Sequence, residues 1–146
     1  MLQLDEIRRV ITPRPKYTED EREIVYASLA YMAKLLSECG VNVMVDATAN
    51  KRRYRDLARS LAPKFAEVYV VAPLEVCIAR ESERKAQFSP KDIYKKAMTE
   101  NASIPGVNIA YEEPLAPEVV VDSAKLSPGQ SAELVAGRVL ELFGQG

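Results

Sequence analysis

Hydrophobic residues near the start of the chain recur at the spacing of an α-helix. At intervals of four, three and four residues, the sequence places Val25, Leu29, Met32 and Leu36. A stripe of this kind is typical of a helix that packs on a core. Thr18, followed three residues later by Glu21, is the sequence signature of a capping box, and Gly40 supplies a C-terminal cap. The pattern predicts a long helix over residues 18–40 with a buried apolar stripe.

Short β-branched runs alternate with further helical segments along the rest of the chain. Such runs are typical of buried parallel strands, and they predict strands at 41–45, 68–71 and 119–121. Amphipathic spacing and proline or serine start signals predict the other helices at 6–11, 51–61, 73–84, 89–99 and 127–142. Strands that alternate with helices indicate an α/β fold with a parallel sheet. We expect one domain over residues 1–146.

The composition restricts the classes of function. A formal net charge of -1 gives no field that would attract nucleic acid or an anionic membrane surface. The sequence has no apolar run long enough to span a bilayer and no signal-peptide core at its start, so we expect a cytoplasmic protein without nucleic-acid or membrane partners. With no histidine and only two cysteines, zinc binding and histidine-based acid–base catalysis are not expected.

An acid and a hydroxyl follow the first of these predicted strands at its carboxyl end, where open parallel sheets bind their ligands. Asp46 comes directly after the strand at 41–45, and Thr48 lies two residues further on. An aspartate in this position can hold Mg²⁺ or its water during phosphoryl transfer. The alternative is that Asp46 ends the strand and Thr48 stabilises a turn.

Basic side chains concentrate on the helix predicted after Asp46. The group consists of Lys51, Arg52, Arg53, Arg55 and Arg59. Guanidinium groups bind phosphate and sulfate through paired hydrogen bonds, so the group predicts anion binding, with a solvated helix face as the alternative. Arg22 lies in the first turn of the long helix, where the helix dipole disfavours a cation. This placement indicates a role other than helix stability.

Two further basic regions are candidates for nucleotide binding. Lys91 and Lys95 lie on a polar helix before a proline-rich stretch, and a basic segment that closes over phosphates acts as a lid. The alternative is an ordinary surface helix. Arg80, on the helix after the second strand, is within reach of a nucleotide in the same interpretation, and exposure to solvent is its alternative.

Seven stretches together resemble the adenylyl-sulfate kinase family, and more closely its adenylylsulfate kinase-like branch. They are LDEIRRVITP (4–13), YTEDER (17–22), AKLLSECGVNVMVDAT (33–48), FAEVYVVAPLEVCIAR (65–80), KDIYKKA (91–97), PGVNIAYEEP (105–114) and PEVVVDS (117–123). Their order and spacing match the family over nearly the whole chain. The most specific segments are YVVAPLEVC, IYKKA and YEEP.

The resemblance implies a P-loop kinase fold, with a parallel sheet flanked by helices. Members of the family transfer the terminal phosphate of ATP, with Mg²⁺, to the 3′-hydroxyl of adenylyl sulfate, which activates sulfate for assimilation. The partner is therefore a small nucleotide substrate. Because the family often dimerises, the resemblance also implies that this chain can form a homodimer.

The resemblance and the strand-end interpretation together give a set of expected site residues. Asp5 matches the acid that approaches the acceptor hydroxyl, and Asp46 is the second catalytic acid and the metal ligand. The substrate-binding residues are Arg8, Arg22, Thr48, Arg52, Ile104 and Tyr111. The nucleotide-binding residues are Arg80, Lys91 and Lys95.

The sequence departs from the family pattern in four places. The match begins at the end of the family's second strand, so the first strand and the phosphate-binding loop are expected to be absent, with hydrophobic surface left exposed on the neighbouring strands. The other departures are Gln3-Leu4-Asp5 for Asp-Gly-Asp, Val25 for a substrate-binding Asn, and Ala49-Asn50-Lys51 for Ser-Pro-Tyr. We therefore expect negligible kinase activity from this chain alone. A P-loop kinase for another small hydroxyl compound and a non-catalytic nucleotide-binding domain are the alternatives.

Overall fold

The computed structural model describes residues 1–83 and 107–144, which divide into two units. The first unit contains residues 1–63 and 107–112, and the second contains residues 64–83 and 113–144. Elements of the first unit are β1 (Leu2–Gln3), α1 (Leu4–Ile11), α2 (Glu19–Glu38), β2 (Val45–Asp46) and α3 (Arg52–Leu61). Those of the second are β3 (Val68–Val71), α4 (Leu74–Glu83), β4 (Val119–Asp122) and α5 (Pro128–Phe143). The helix predicted at 89–99 lies outside the described residues.

The core of the first unit forms where α1, α2 and α3 meet. Its buried members are Leu4, Val25, Tyr26, Leu29 and Tyr54. The rings of Tyr26 and Tyr54 stack at a centroid distance of 4.2 Å with an interplanar angle of 11°. The hydroxyl oxygen of Tyr26 also accepts a hydrogen bond from the Ala49 amide at 3.0 Å. This contact ties the loop after β2 to the core.

Both ends of α2 agree with the predicted caps. Thr18 accepts a hydrogen bond from the Glu21 amide at the start. At the end, Gly40 adopts a φ of 79°, and the Val41 amide donates to the Leu36 carbonyl at 3.1 Å, as in a Schellman motif. The capping box is only half formed, because the Glu21 carboxylate binds other partners.

The predicted apolar stripe of α2 is buried only in its first half. Val25 and Leu29 are 0% and 2% exposed, whereas Leu36 is 39% exposed. α2 has 20 residues and α3 has 10, so at a rise of about 1.5 Å per residue α3 can cover only half of α2. The prediction of a buried stripe was therefore wrong for its C-terminal part.

The strand predicted at 41–45 was also wrong in length and in burial. β2 contains only Val45–Asp46 and pairs in parallel with β1, with Gln3 opposite Asp46. In this register Leu2 lies opposite Val45, so residues 41–44 would lie opposite positions that precede β1 and have no strand partner there. The start of α1 directly after β1 ends the ladder on the other side, at Asp46. Met44 and Val45 are exposed, as expected for a strand that has one partner within the described ranges.

In the second unit, β3 and β4 pair in parallel over four residues, from Val68 opposite Val119 to Val71 opposite Asp122. Val119 and Val121 are buried, while Val70 is exposed. α5 begins with the predicted cap, since Ser127 and Gln130 form a complete capping box. The predicted α/β class with parallel strands is confirmed. Within the described part of the chain, no helix has the length and apolarity needed to cross a membrane.

Candidate active site

The two predicted catalytic acids lie at the carboxyl ends of adjacent strands. Gln3 of β1 lies opposite Asp46 of β2 in the parallel ladder, and Asp5 is the second residue of α1, which starts where β1 ends. Asp5 and Asp46 therefore both lie at the carboxyl edge of this sheet, where ligands of such sheets bind. The register brings the two acids to one edge, which the sequence alone did not determine.

These acids also bear on the predicted Mg²⁺ site. In the part of the chain that the structure describes, no group of three or more His, Cys, Asp or Glu side chains could hold a metal ion. Mg²⁺ needs fewer protein ligands, because it is commonly held by one or two carboxylates and completes its octahedron with waters and substrate phosphates. Asp46 is exposed at the strand end, so the residues present fit a site of this kind.

A small cavity lies between α1 and the loop that leads to α2. Its volume is about 160 Å³, and it is lined by Asp5, Arg8, Arg9, Thr12, Pro13, Pro15 and Tyr17. Pockets that enclose a whole drug-sized ligand have volumes of roughly 300–1,000 Å³. The cavity is therefore large enough for an anionic group of a ligand and too small to enclose a complete nucleotide.

Arg8 is a buried cation at this cavity. Arg8 is 6% exposed, and its Nη1 donates to Glu21 Oε1 at 3.1 Å. Glu21 Oε2 accepts from the Lys16 amide at 2.6 Å, so the carboxylate is itself fixed. Because an unpaired buried charge is strongly destabilising, Glu21 is what allows Arg8 to occupy this position.

Arg22 approaches the same place from the start of α2. Its Nε donates to the Tyr17 carbonyl at 3.2 Å. The guanidinium carbons of Arg8 and Arg22 lie 5.1 and 5.9 Å from the centroid of the Tyr17 ring, which is within cation–π range. The structure thus brings together the two arginines that the resemblance assigned to substrate binding.

Tyr17 is a candidate site residue that the sequence reasoning missed. It has a φ of 56°, a left-handed conformation that is uncommon for a bulky residue and that tends to occur at functional positions. The only signal in the sequence is its position: Tyr17 is an aromatic residue that comes after Pro13 and Pro15 and directly before Thr18, the N-cap of α2. That signal reveals neither the positive φ nor the contacts with Arg8 and Arg22.

The predicted basic group at α3 is partly engaged by acceptors of the protein itself. Lys51 forms an ion pair with Glu19, and Arg53 forms ion pairs with Glu19 and Glu23. Its interaction with the Tyr54 side chain, followed by the charge of Glu23, raises the pKa of the Arg53 guanidinium above its ordinary value. These two cations are thus held against α2, although the sequence grouped them with the anion-binding candidates.

The remaining acceptor-side candidates lie on the loop after β2, on α3 and on the segment 107–112. Thr48 is exposed in the loop. Arg52 is the first residue of α3, and its amide donates to Glu112 Oε2 at 2.8 Å. The Tyr111 ring lies 5.4 Å from the Arg55 guanidinium. Ile104, Lys91 and Lys95 fall outside the described residues.

Arg80 lies in the second unit, at the carboxyl edge of the β3–β4 sheet. Its Nη1 and Nη2 donate to the hydroxyl and carbonyl oxygens of Ser123, at 3.0 and 2.6 Å. The Ser123 hydroxyl donates in turn to the Val71 carbonyl at 3.1 Å. Next to it, a hydrogen bond from Lys125 lowers the pKa of the Asp122 carboxyl. Arg80 is thus fixed at the edge where a ligand of this sheet would bind.

A family model and two relatives with similar sequences carry the same description. The family model for adenylylsulphate kinase matches residues 1–122. The probable adenylyl-sulfate kinase of Pyrococcus abyssi is 40% identical over 139 residues, which cover 94% of this chain and 75% of the relative. That of Archaeoglobus fulgidus is 36% identical over 126 residues, covering 86% and 76%.

A solved structure gives the same result at the level of the fold. The APS kinase of Mycobacterium tuberculosis, in complex with AMPPNP and APS, superposes with a TM-score of 0.76 at 25% sequence identity. The match covers 96% of this chain and 78% of that one. APS kinases are P-loop kinases, so the predicted fold type is confirmed.

Proposed function

Because this chain belongs to the adenylylsulphate kinase family, we propose that it serves the transfer of the terminal phosphate of ATP to the 3′-hydroxyl of adenylyl sulfate. The observation that carries the proposal is the meeting of Arg8 and Arg22 around Tyr17, beside a cavity that Asp5 also lines. Guanidinium groups suit the phosphate and sulfate oxygens of this acceptor.

In this proposal the acceptor lies at the carboxyl edge of the β1–β2 sheet. Arg8 and Arg22 bind its anionic end, while Thr48, Arg52 and Tyr111 complete the substrate side. The contact of Arg8 with Glu21 uses one of the five N–H donors of the Arg8 guanidinium. A fixed cation needs little reorganisation when an anion binds, and such preorganisation favours tight and oriented binding.

Asp5 and Asp46 take the catalytic roles in the proposal. Asp5 orients the acceptor hydroxyl and accepts its proton, and Asp46 holds Mg²⁺. The ion, when bound, neutralises charge on the phosphates of ATP. Arg80 is the nucleotide-side residue of the second unit, with Lys91 and Lys95 from outside the described residues. We treat residues 1–146 as one kinase-like domain and, by its family, as able to form a homodimer.

One feature supports a second candidate, a kinase for another small hydroxyl compound. The resemblance places a substrate-binding asparagine at position 25, but Val25 is fully buried in the core, with 0% exposure. A side chain at this depth does not reach a ligand. The acceptor must therefore be bound without that contact, or it must be a different molecule.

Titration calorimetry with adenylyl sulfate tests the assignment of the acceptor. We expect binding to this chain, and we expect Arg22→Gln to weaken it by about 10- to 100-fold, since hydrogen bonds to charged groups contribute about 1.5–3 kcal/mol. Arg138→Gln, on the exposed face of α5, is the matched control. Absence of binding to the unaltered chain, together with binding of another hydroxyl compound from a panel, would favour the second candidate.

Catalytic turnover depends on a further feature, the phosphate-binding loop. The motif Gly-x-x-x-x-Gly-Lys-Ser/Thr does not occur within these 146 residues, and its backbone and lysine hold the phosphates in P-loop kinases. We therefore propose negligible phosphotransfer by these residues alone. An assay of phosphate transfer from ATP checks this, and turnover of about 1 s⁻¹ or more, the ordinary range of kinases, would contradict it.

A further inference from the structure

The segment 107–112 is fastened to the start of α3, although the two are far apart in sequence. The Glu112 amide donates to the Asn50 carbonyl at 2.8 Å. In return, Asn50 Nδ2 donates to the Ala110 carbonyl at 3.3 Å, across a separation of 60 residues. Glu112 Oε2 accepts from the amide of Arg52 at 2.8 Å. The carboxylate thus satisfies one of the amides that the first turn of a helix leaves unpaired.

Arg55 closes this connection from the first turn of α3. Its Nη1 donates to the Ala49 carbonyl, and its Nη2 donates to the Glu112 carbonyl at 2.5 Å. The same guanidinium lies 5.4 Å from the centroid of the Tyr111 ring. One side chain therefore contacts both the loop after β2 and the segment 107–112. We call Asn50, Arg55 and Glu112 the clamp.

The clamp joins its two segments through several contacts at once. Asn50 is 2% exposed, and a buried amide that loses its partners is costly. The planar fork of a guanidinium fixes two acceptors at a set distance and angle, which an ammonium group cannot do. The loop after β2 is anchored a second time, because the Ala49 amide donates to the buried Tyr26 hydroxyl. Movement of either segment must break several of these contacts at once.

We propose that Arg55 is a positioning residue for the acceptor site. It holds the loop that carries Thr48 and the segment that carries Tyr111 as one piece, so the two sides of the site keep a fixed separation. This inference rests on the proposed function for its link to adenylyl sulfate. The clamp itself is independent of any ligand, which allows the two ideas to be tested apart.

The test combines hydrogen exchange with calorimetry on the full chain. Arg55→Lys keeps the charge and removes the fork, and Arg138→Lys on α5 is the matched control. Exchange is followed in peptides that cover residues 47–56 and 107–114, and the Kd of adenylyl sulfate is measured well below the melting temperature. We expect Arg55→Lys to speed exchange in both peptides together and to raise Kd at least about fivefold, a loss of about 1 kcal/mol.

A second pair of variants covers a failure of Arg55→Lys to fold. Glu112→Gln keeps an acceptor oxygen for the Arg52 amide and should bind within twofold of the unaltered chain. Glu112→Ala removes this acceptor and should show the same combined loosening and weakened binding. If Glu112→Gln keeps slow exchange and normal affinity while Glu112→Ala loses both, the effect comes from the contact with the Arg52 amide and not from the charge of Glu112.

The outcomes separate the two ideas. Faster exchange in one peptide only, or in neither, overturns the clamp. Faster exchange in both with Kd unchanged shows that the clamp only stabilises the fold and overturns the positioning role. If the unaltered chain does not bind adenylyl sulfate, the proposed acceptor fails, while coupled exchange in the two peptides still supports the clamp.

Discussion

The pairing of Arg8 with Glu21 leads to the sharpest prediction about stability. The two side chains are 7% and 13% exposed and meet at 3.1 Å, so Glu21→Ala would leave a buried guanidinium without its carboxylate. Removing one partner of a buried pair costs about 3–5 kcal/mol. The variant also removes the acceptor of the Lys16 amide, a loss of about 1 kcal/mol. Since the pair keeps some contact with solvent, we expect a total near the lower end, about 3 kcal/mol.

The measurement is urea denaturation followed by circular dichroism. A loss of about 3 kcal/mol is a large part of the 5–15 kcal/mol that stabilises an ordinary domain. Glu38→Ala is the control, because its ion pair with Lys34 is exposed, with Glu38 57% accessible. Such surface pairs contribute about 0–1 kcal/mol. If Glu21→Ala costs no more than Glu38→Ala, the argument that Glu21 keeps Arg8 buried is refuted.

A double variant tests the cause of this loss. Replacing both partners by apolar residues of similar size, Arg8→Met with Glu21→Leu, removes the charge together with its partner. Replacement of a whole buried pair is often neutral or stabilising, so the double variant should be more stable than Glu21→Ala. Equal stability of the two would mean that the Lys16 contact, rather than the stranded charge, accounts for the loss. The double variant should also lose affinity for adenylyl sulfate, because Arg8 is absent.

Three further predictions concern other parts of the chain. Tyr26→Phe removes the acceptor of the Ala49 amide and should lower the free energy of unfolding by about 1–3 kcal/mol, which urea denaturation would detect. Lys125→Gln should raise the pKa of Asp122, now lowered by the hydrogen bond from Lys125, in an NMR titration. Because the pKa of Asp122 is lowered by folding, its carboxylate stabilises the fold at pH values above its unfolded-state pKa, and this contribution is lost as the pH falls through its folded-state pKa. The variant should therefore lose less stability on acidification. Gly40→Ala meets no atom within 4 Å but forces alanine to a φ of 79°, so thermal melting should show a loss of about 1–2 kcal/mol.

Local signals in the sequence predicted the helix ends well. Thr18, Gly40 and Ser127 cap helices as expected, because a cap depends on a few neighbouring residues. The strand at 41–45 failed, since its extent depends on which residues β1 offers as partners, and in the observed register β1 reaches back only to Val45. No pattern within residues 41–45 contains that information.

The candidate site, too, could be predicted from the sequence only in part. The resemblance identified Asp5, Arg8 and Arg22 as a set, and the structure brings Arg8 and Arg22 to one ring. It did not identify Tyr17 or Glu21, whose roles arise from contacts across the turn between α1 and α2. The link from Glu112 to the start of α3 spans 60 residues, so a reading along the chain gives no indication of it.

The burial of Val25 limits how this chain can change over evolutionary time. Its 0% exposure means that a substitution by asparagine would place an amide in an apolar core, at a cost of about 1–3 kcal/mol on the scale of protein variants. Val25→Asn alone would therefore lower stability without bringing the new amide into contact with a ligand. The core therefore keeps position 25 apolar, and we expect acceptor preference to change at exposed positions such as Thr48 instead.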